Sequence, residues 1–228
     1  MIGIAIGNGL SRKGYDLSGL KGPGRCVVGC NWLYFDYEPD VLVAIDSEPV
    51  RELTAMKVRR FDWLTNDVPR YNIVLHKQDG TTDVIMEIMA VNGFWGKNSG
   101  IIAASYLSKH LRCPKVYMLG FDFFRIDPGM TQNDLYHKGL IGFPRYERAW
   151  NKLLADCPHT EFIRVGEISK YHTAYFAHIL KGFTYISTEQ FEQEVTPDVA
   201  TTSASHDQPT RCCHADRKST RLNSSHRL

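Results

Sequence analysis

The residues best suited to chemistry in this chain are small and polar, and they stand where apolar runs end. The stretch "IAIGNGLSRKGYDL", residues 4–17, stops an apolar run at Gly7, Asn8 and Gly9, with Ser11 two residues on. "RCVVGC" ends at Asn31, "VLVAI" ends at Asp46 with Glu48 behind it, and "KVYML" ends at Gly120 and Asp122. Asn98, Ser99 and Gly100 open the apolar-periodic stretch "NSGIIAASYLSKHL". Gly7 and Gly9 permit positive φ and let backbone N–H groups approach an anion. Asn8 and Asn31 can each donate and accept. Ser99 and Gly100 fall at a helix N-terminus, where the dipole favours a phosphate. Such a set is what a nucleotide-sized ligand asks of a largely apolar cleft. A plain turn between a strand and a helix explains Gly-Asn-Gly equally well.

The loop matches neither of two familiar phosphate loops. The third glycine position of a dinucleotide fingerprint holds Arg12, and the second strand ends in Asn31 rather than an acid; no Gly-Lys-Ser/Thr follows for a P-loop. Asp46 and Glu48 read first as an Asx-type cap for the helix behind them. Their alternative is chemical: with Asp122 they could hold Mg²⁺ through carboxylate oxygens and waters. Asp122 could equally cap its own "GFDFF" turn. The aromatics Trp32, Tyr34, Phe35 and Tyr37 read as packing rather than base-stacking.

The elements that must position these residues alternate. Met1–Ile6, Arg25–Cys30 and Val41–Ile45 are apolar runs of strand length, as strands buried on both faces require. Between the first two there is room for only a turn or two of helix. Ser47 caps a helix running through "SEPVRELTAMKV", with Pro49 early in it. Residues 59–64 and 71–76 are further strands, and 79–96 is loop and edge structure. Asn98–Leu111 is a helix capped by Asn98 or Ser99. Lys115–Leu119 is a strand, Pro144–Cys157 an amphipathic helix and Glu161–Val165 a strand. Ile168–Leu180 is ambiguous, and Phe183–Ile186 is a last strand before a helix capped by Ser187 or Thr188. The alternation predicts an α/β fold: one doubly wound, mostly parallel sheet with helices on both faces. Ligands in such folds bind outside the carboxyl ends of the strands, at a switch point in strand order.

The C-terminus distorts the composition. Residues 216–226, "DRKSTRLNSSH", match one reading frame of a common sequencing-adapter oligonucleotide, so 216–228 is read as an artefact and set aside. Residues 196–215 are polar and read as a disordered tail, leaving 1–195 as one domain. Without 216–228, which carries four basic residues and one acidic, the 27 Lys+Arg and 25 Asp+Glu fall to 23 and 24. The net charge of +2 becomes −1, which removes the charge argument for nucleic acid or an anionic membrane. No apolar stretch is long enough to span a bilayer, and no signal peptide precedes the first strand. Cys26, Cys30, Cys113 and Cys157 show no metal-type spacing. Reduced, buried cysteines point to the cytoplasm.

Taken together, "AIGNGLSRKGYDLSGL", "CNWLYFDYEPDVLVAID" and "NSGIIAASYLSKHLRCPKVYMLGFDFF" resemble the bacterial lipooligosaccharide sialyltransferases. That family carries a G-N-G-P-S loop, an R-C-N-x-F/Y-Y strand end, an x-S-G helix start and a G-x-D-F-Y strand end in this order. A wider Rossmann-like set shares the pattern, including the MptE-like pterin diphosphokinases and phage and metagenomic proteins. This chain looks most like the phage-type members, whose setting is the host cytoplasm. The resemblance covers residues 1–60 and 95–125. It implies a Rossmann-like domain that binds a nucleotide-activated sugar, CMP-linked in the family, and a metal-independent, inverting transfer. Asn8, Gly9, Ser11 and Asn31 would hold cytidine and ribose; Ser99 and Gly100 would meet ribose or phosphate, and Asp122 would floor the cleft. Leu10 replaces the loop's proline and Phe124 the family's tyrosine. His137 in "NDLYHKG" is the candidate base on the acceptor hydroxyl, and Tyr136 beside it the candidate replacement phenol. Two alternatives stand beside this reading: a Mg²⁺-dependent diphosphokinase using Asp46, Glu48 and Asp122, and a non-catalytic nucleotide-binding protein.

Overall fold

The structure is a computed structural model and describes residues 1–67, 72–85, 98–122, 144–166 and 182–195. The described residues all fall in the first of two units, Met1–Thr196. The first is built on a nine-stranded sheet in the order β6-β5-β4-β3-β2-β1-β7-β8-β9. The strands are β1 (Ile2–Ile6), β2 (Arg25–Cys30), β3 (Val41–Val43), β4 (Asp62–Asp67), β5 (Asn72–His76), β6 (Thr82–Val84), β7 (Lys115–Leu119), β8 (Glu161–Val165) and β9 (Phe183–Ile186). From β4 through β9 by way of β1 every pairing is parallel. β5 and β6 extend the β4 edge as an antiparallel meander.

Why the sheet takes this form follows from its strands. In β1 and β7 four of five residues are buried on both faces, so helices must cover both sides. Side chains alternate across the sheet. Ala5, Val28, Val43 and Met118 enter one apolar cluster, and Ile4, Ile6, Val27 and Leu42 enter the other. Each fully buried Ile or Leu stabilises the fold by about 1.5–3 kcal/mol. The first cluster is covered by α2 (Ser99–Ser105) and α3 (Pro144–Asp156) through Ile101, Ile102, Trp150 and Leu153. The second is covered by α1 (Ser47–Ala55) and α4 (Thr188–Val195) through Leu53, Phe191 and Val195. This is the doubly wound, Rossmann-like α/β class that the alternation of elements predicts. Among the described residues no helix is long and apolar enough to cross a membrane.

Several local expectations need correction. The third strand ends at Val43, not Ile45, because Ile45 N–H leaves the ladder to donate to Asn31 Oδ1 at 3.4 Å. Asp46, not Ser47, is the N-cap of α1, and its side chain makes no cap hydrogen bond because it is engaged by Asn31 instead. The predicted helix over 98–111 is α only to Ser105. From Tyr106 to His110 it widens to a π-turn, and Leu111 N–H reaches back to Tyr106 O. Phe35 does not pack inside with Trp32 and Tyr34: it is 60 % exposed. Ser187 does cap α4, its Oγ accepting from Gln190 N–H at 3.1 Å.

Candidate functional site

Strand order reverses between β1 and β7, since β2–β4 lie to one side of β1 and β8–β9 to the other. Loops after β1 and β7 therefore meet at the switch point where ligands of such sheets bind. Here the two loops are joined by their own backbone. Gly7 N–H donates to Leu119 O and Gly9 N–H to Gly120 O, both at 2.8 Å. Ser11 N–H donates to Asp122 Oδ2 at 3.1 Å.

That joining explains the glycines. A Cβ on Gly9 would sit 2.5 Å from Gly120 O and 2.6 Å from the Asp122 carboxylate, and one on Gly7 would sit 2.6 Å from Gly120 O. Gly120 itself has φ +70, a conformation that favours glycine. Arg12, buried, donates Nε–H to Gly7 O at 2.6 Å and faces Asp36 Oδ2 at 3.7 Å. The Gly-Asn-Gly motif thus has a packing reason of its own. What it leaves toward a ligand is Asn8, whose Oδ1 is buried without a hydrogen-bond partner. A buried acceptor in that state costs about 1–3 kcal/mol.

Asp122 lies beneath the loop. It is 4 % exposed, and its Oδ1 stands 3.8 Å from an Arg164 Nη that is itself buried. Arg164 Nε–H donates to Phe121 O at 2.8 Å. Burial pulls the Arg164 pKa below the usual guanidinium range, while Asp122 and then Tyr185 oppose the shift. The pair holds the loop after β7 against β8, and Asp122 passes that support to Ser11. Neither Arg12 nor Arg164 stood out in the sequence. The one signal for Arg164 is a guanidinium set between the apolar Ile163 and Val165 in "EFIRV".

Asn31 is the centre of the polar edge. It adopts φ +45, a left-handed conformation that asparagine tolerates better than other non-glycine residues. From there Nδ2 donates to Asp46 Oδ2 at 2.7 Å and lies 3.3 Å from Ser99 Oγ. Together with Ile45 N–H on Oδ1, it ties the ends of β2 and β3 to the start of α2. Asn98 is the N-cap of α2, its Oδ1 accepting from Ile101 N–H at 3.0 Å. Gly100 lies under the Phe121 ring, where a Cβ would meet Cε1 at 2.6 Å. Burial pushes the Cys30 thiol up to about 12, with Ser99 and Arg12 opposing.

The structure thus brings Asn31, Ser99 and Asp46 together, and separately joins Gly7, Gly9 and Ser11 to Leu119, Gly120 and Asp122 in turn. Glu48 is exposed in the first turn of α1. Among the described residues no group of three His, Cys, Asp or Glu side chains is placed to hold a metal ion, so Asp46, Glu48 and Asp122 do not form one. His137, Tyr136 and Phe124 lie outside the described residues.

Fold and edge together define an α/β protein of the Rossmann-like class with a polar strand-end edge. Comparison with known family models, curated proteins and solved structures finds no match to this chain.

Proposed function

We propose that this protein binds a nucleotide-activated sugar, CMP-linked by the motif likeness, in the crevice at the carboxyl ends of β1, β2 and β3, and transfers the sugar to an acceptor hydroxyl. The observation that supports this best is the Asn31 cluster. One side chain in a left-handed conformation presents a carboxylate, a hydroxyl and an amide at one strand-end edge. The neighbouring Asn8 Oδ1 adds an acceptor with no protein donor, which an amino or hydroxyl group of a nucleoside would satisfy. In this reading Asn8, Asn31, Asp46 and Ser99 face the nucleoside. Asp122 is a positioning residue that holds the loop through Ser11.

The chemistry is a single displacement. The acceptor oxygen attacks the anomeric carbon as the bond to phosphate breaks, which inverts that carbon. His137 takes the acceptor proton as general base, and the Tyr136 phenol donates to the departing phosphate. No metal is assigned a role.

The test is thermal stabilisation of the purified protein by CMP, CDP, AMP and ATP, with and without Mg²⁺. A ligand at a hundred times its Kd stabilises by about 2.7 kcal/mol. Stabilisation by CMP or CDP without Mg²⁺ is expected. A response only to ATP or AMP with Mg²⁺ replaces the transferase with a diphosphokinase, and no response to any of them removes the nucleotide. Turnover lost in His137→Ala with CMP binding retained places the base; CMP binding without any sugar transfer leaves a non-catalytic nucleotide-binding protein.

A further inference from the structure

A second concavity lies beside the crevice, between the β1–β2 connection and the 3-10 turn that follows β2. It encloses about 700 Å³ and is lined by Arg12, Tyr15, Ser18, Phe35, Asp36 and Tyr37, among others. Asn31 and Phe35 are the first and last residues of that one turn (Asn31–Phe35), so crevice and cleft share a wall. Arg12 is also common to both: it lines the cleft while its Nε holds Gly7 O in the loop after β1.

Three features of the cleft point to one ligand class. The first is an aromatic platform. Phe35 is 60 % exposed, yet its ring is held rigidly, stacked on Trp32 at 5.5 Å and 4° and against Tyr34 at 4.6 Å. Its outer face is left open at the cleft wall, where an apolar ring face can pack against it. The second is charge. Arg12 and Lys13 on the wall are matched by Asp16 and Asp36, and Arg12 faces Asp36 at 3.7 Å. A wall of balanced charge does not select an anion. The exposed Lys13, Asp16 and Asp36 do offer the mixed donors and acceptors that sugar hydroxyls need. The third is Tyr37, whose Oη is buried with no hydrogen-bond partner.

We infer that this cleft is a saccharide-binding subsite, in which the apolar C–H face of a neutral sugar ring lies on Phe35 and its hydroxyls meet Asp36, Asp16 and Ser18. The inference rests on the transferase reading only for its further meaning, that this sugar is the acceptor. Saccharide binding itself does not depend on that reading.

The experiment is saturation-transfer NMR on the full chain with three neutral saccharides, lactose, maltotriose and chitotriose. Trp32 fluorescence follows the same titrations, and CMP is titrated in a parallel sample. At least one saccharide is expected to bind, with affinity falling at least tenfold in Phe35→Ala and in Asp36→Asn. Lys152→Gln, on α3 and outside the cleft lining, should leave saccharide affinity within twofold. Far-UV circular dichroism checks that each variant is folded; should Phe35→Ala not fold, Phe35→Leu removes the platform with less disturbance. Transfer to none of the three saccharides, or binding unchanged in the Phe35 variant, overturns the inference. Displacement of the saccharide by CMP, with both lost in the Phe35 variant, also overturns it and makes the cleft a nucleoside site. Saccharide binding in the absence of CMP binding leaves the subsite standing and removes the transferase.

Discussion

Asn31 Nδ2 donates to Asp46 Oδ2 at 2.7 Å across the ends of β2 and β3. That bond has two consequences. It draws Asp46 away from its own helix, so α1 starts without a side-chain cap bond, and it fixes an amide and a carboxylate side by side at the strand-end edge. Asn31→Gly keeps the left-handed backbone while removing the side chain. The lost hydrogen bonds, each about 1 kcal/mol, are partly offset by glycine's ease at φ +45. The melting temperature should stay within about 4 °C of the parent, whereas CMP affinity should fall at least tenfold. Equal affinity in calorimetry would take Asn31 out of the site.

Gly9→Ala tests whether the glycine loop is held by packing. Its Cβ would meet a carbonyl oxygen and a buried carboxylate, both under 3.0 Å away, and neither belongs to a flexible chain end. The expected loss in urea unfolding is about 2–3 kcal/mol. Gly14→Ala is the control. Nothing lies within 4 Å of its Cβ, and only φ +79 opposes the change, so the expected loss is about 1–2 kcal/mol.

Asp122 and Arg164 should behave as a unit. Asp122→Ala leaves a buried guanidinium without its carboxylate, and Arg164→Met does the reverse; each should cost about 3–5 kcal/mol. The double variant should cost less than the two singles together, because the second change removes the charge stranded by the first. Additive losses in a double-mutant cycle would mean that the 3.8 Å pair contributes nothing specific.

His76 gives the fold a pH dependence. Its ring stacks on Trp63 at 4.0 Å and 11°, and its Nε2 is buried without a partner. Burial, and then the nearby Arg59 charge, lower its pKa below the usual histidine value. A histidine with a lowered native pKa binds its proton more readily when unfolded. Its contribution is therefore complete above about pH 6.5 and is lost as pH falls through the native value. His76→Phe keeps the stack and cannot titrate, so the slope of stability below about pH 6.5 should flatten relative to the parent. An identical slope in the two proteins would assign the effect to another group.

Much of this molecule was legible before any tertiary contact was known. β2, β7, β8 and β9 keep the bounds their sequence patterns predict; in β2 and β7 every residue after the first is buried, so an apolar composition marks them. The polar residues at the strand ends were legible for the same reason, being the first that the core does not need. The antiparallel turn of the sheet at β5 and β6 was not, since the strand-length runs that predicted β4 and β5 do not encode direction.

Sequence by itself determined which residues could be buried, hence the doubly wound sheet and the chemical character of its carboxyl edge. Tertiary structure alone decided which of those edge residues meet. Asn31 reaches Ser99 across 68 residues, Ser11 holds Asp122 across 111, and Arg164 reaches Phe121 across 43. It also decided that Gly7 and Gly9 are glycines because Gly120 and Asp122 press against them, and that Phe35 faces outward while Trp32 and Tyr34 do not. The physical reason is common to all of these. Hydrophobic periodicity is written in neighbouring residues, whereas hydrogen bonds, close backbone approach and the exposure of one ring depend on what strand order and loop path bring alongside.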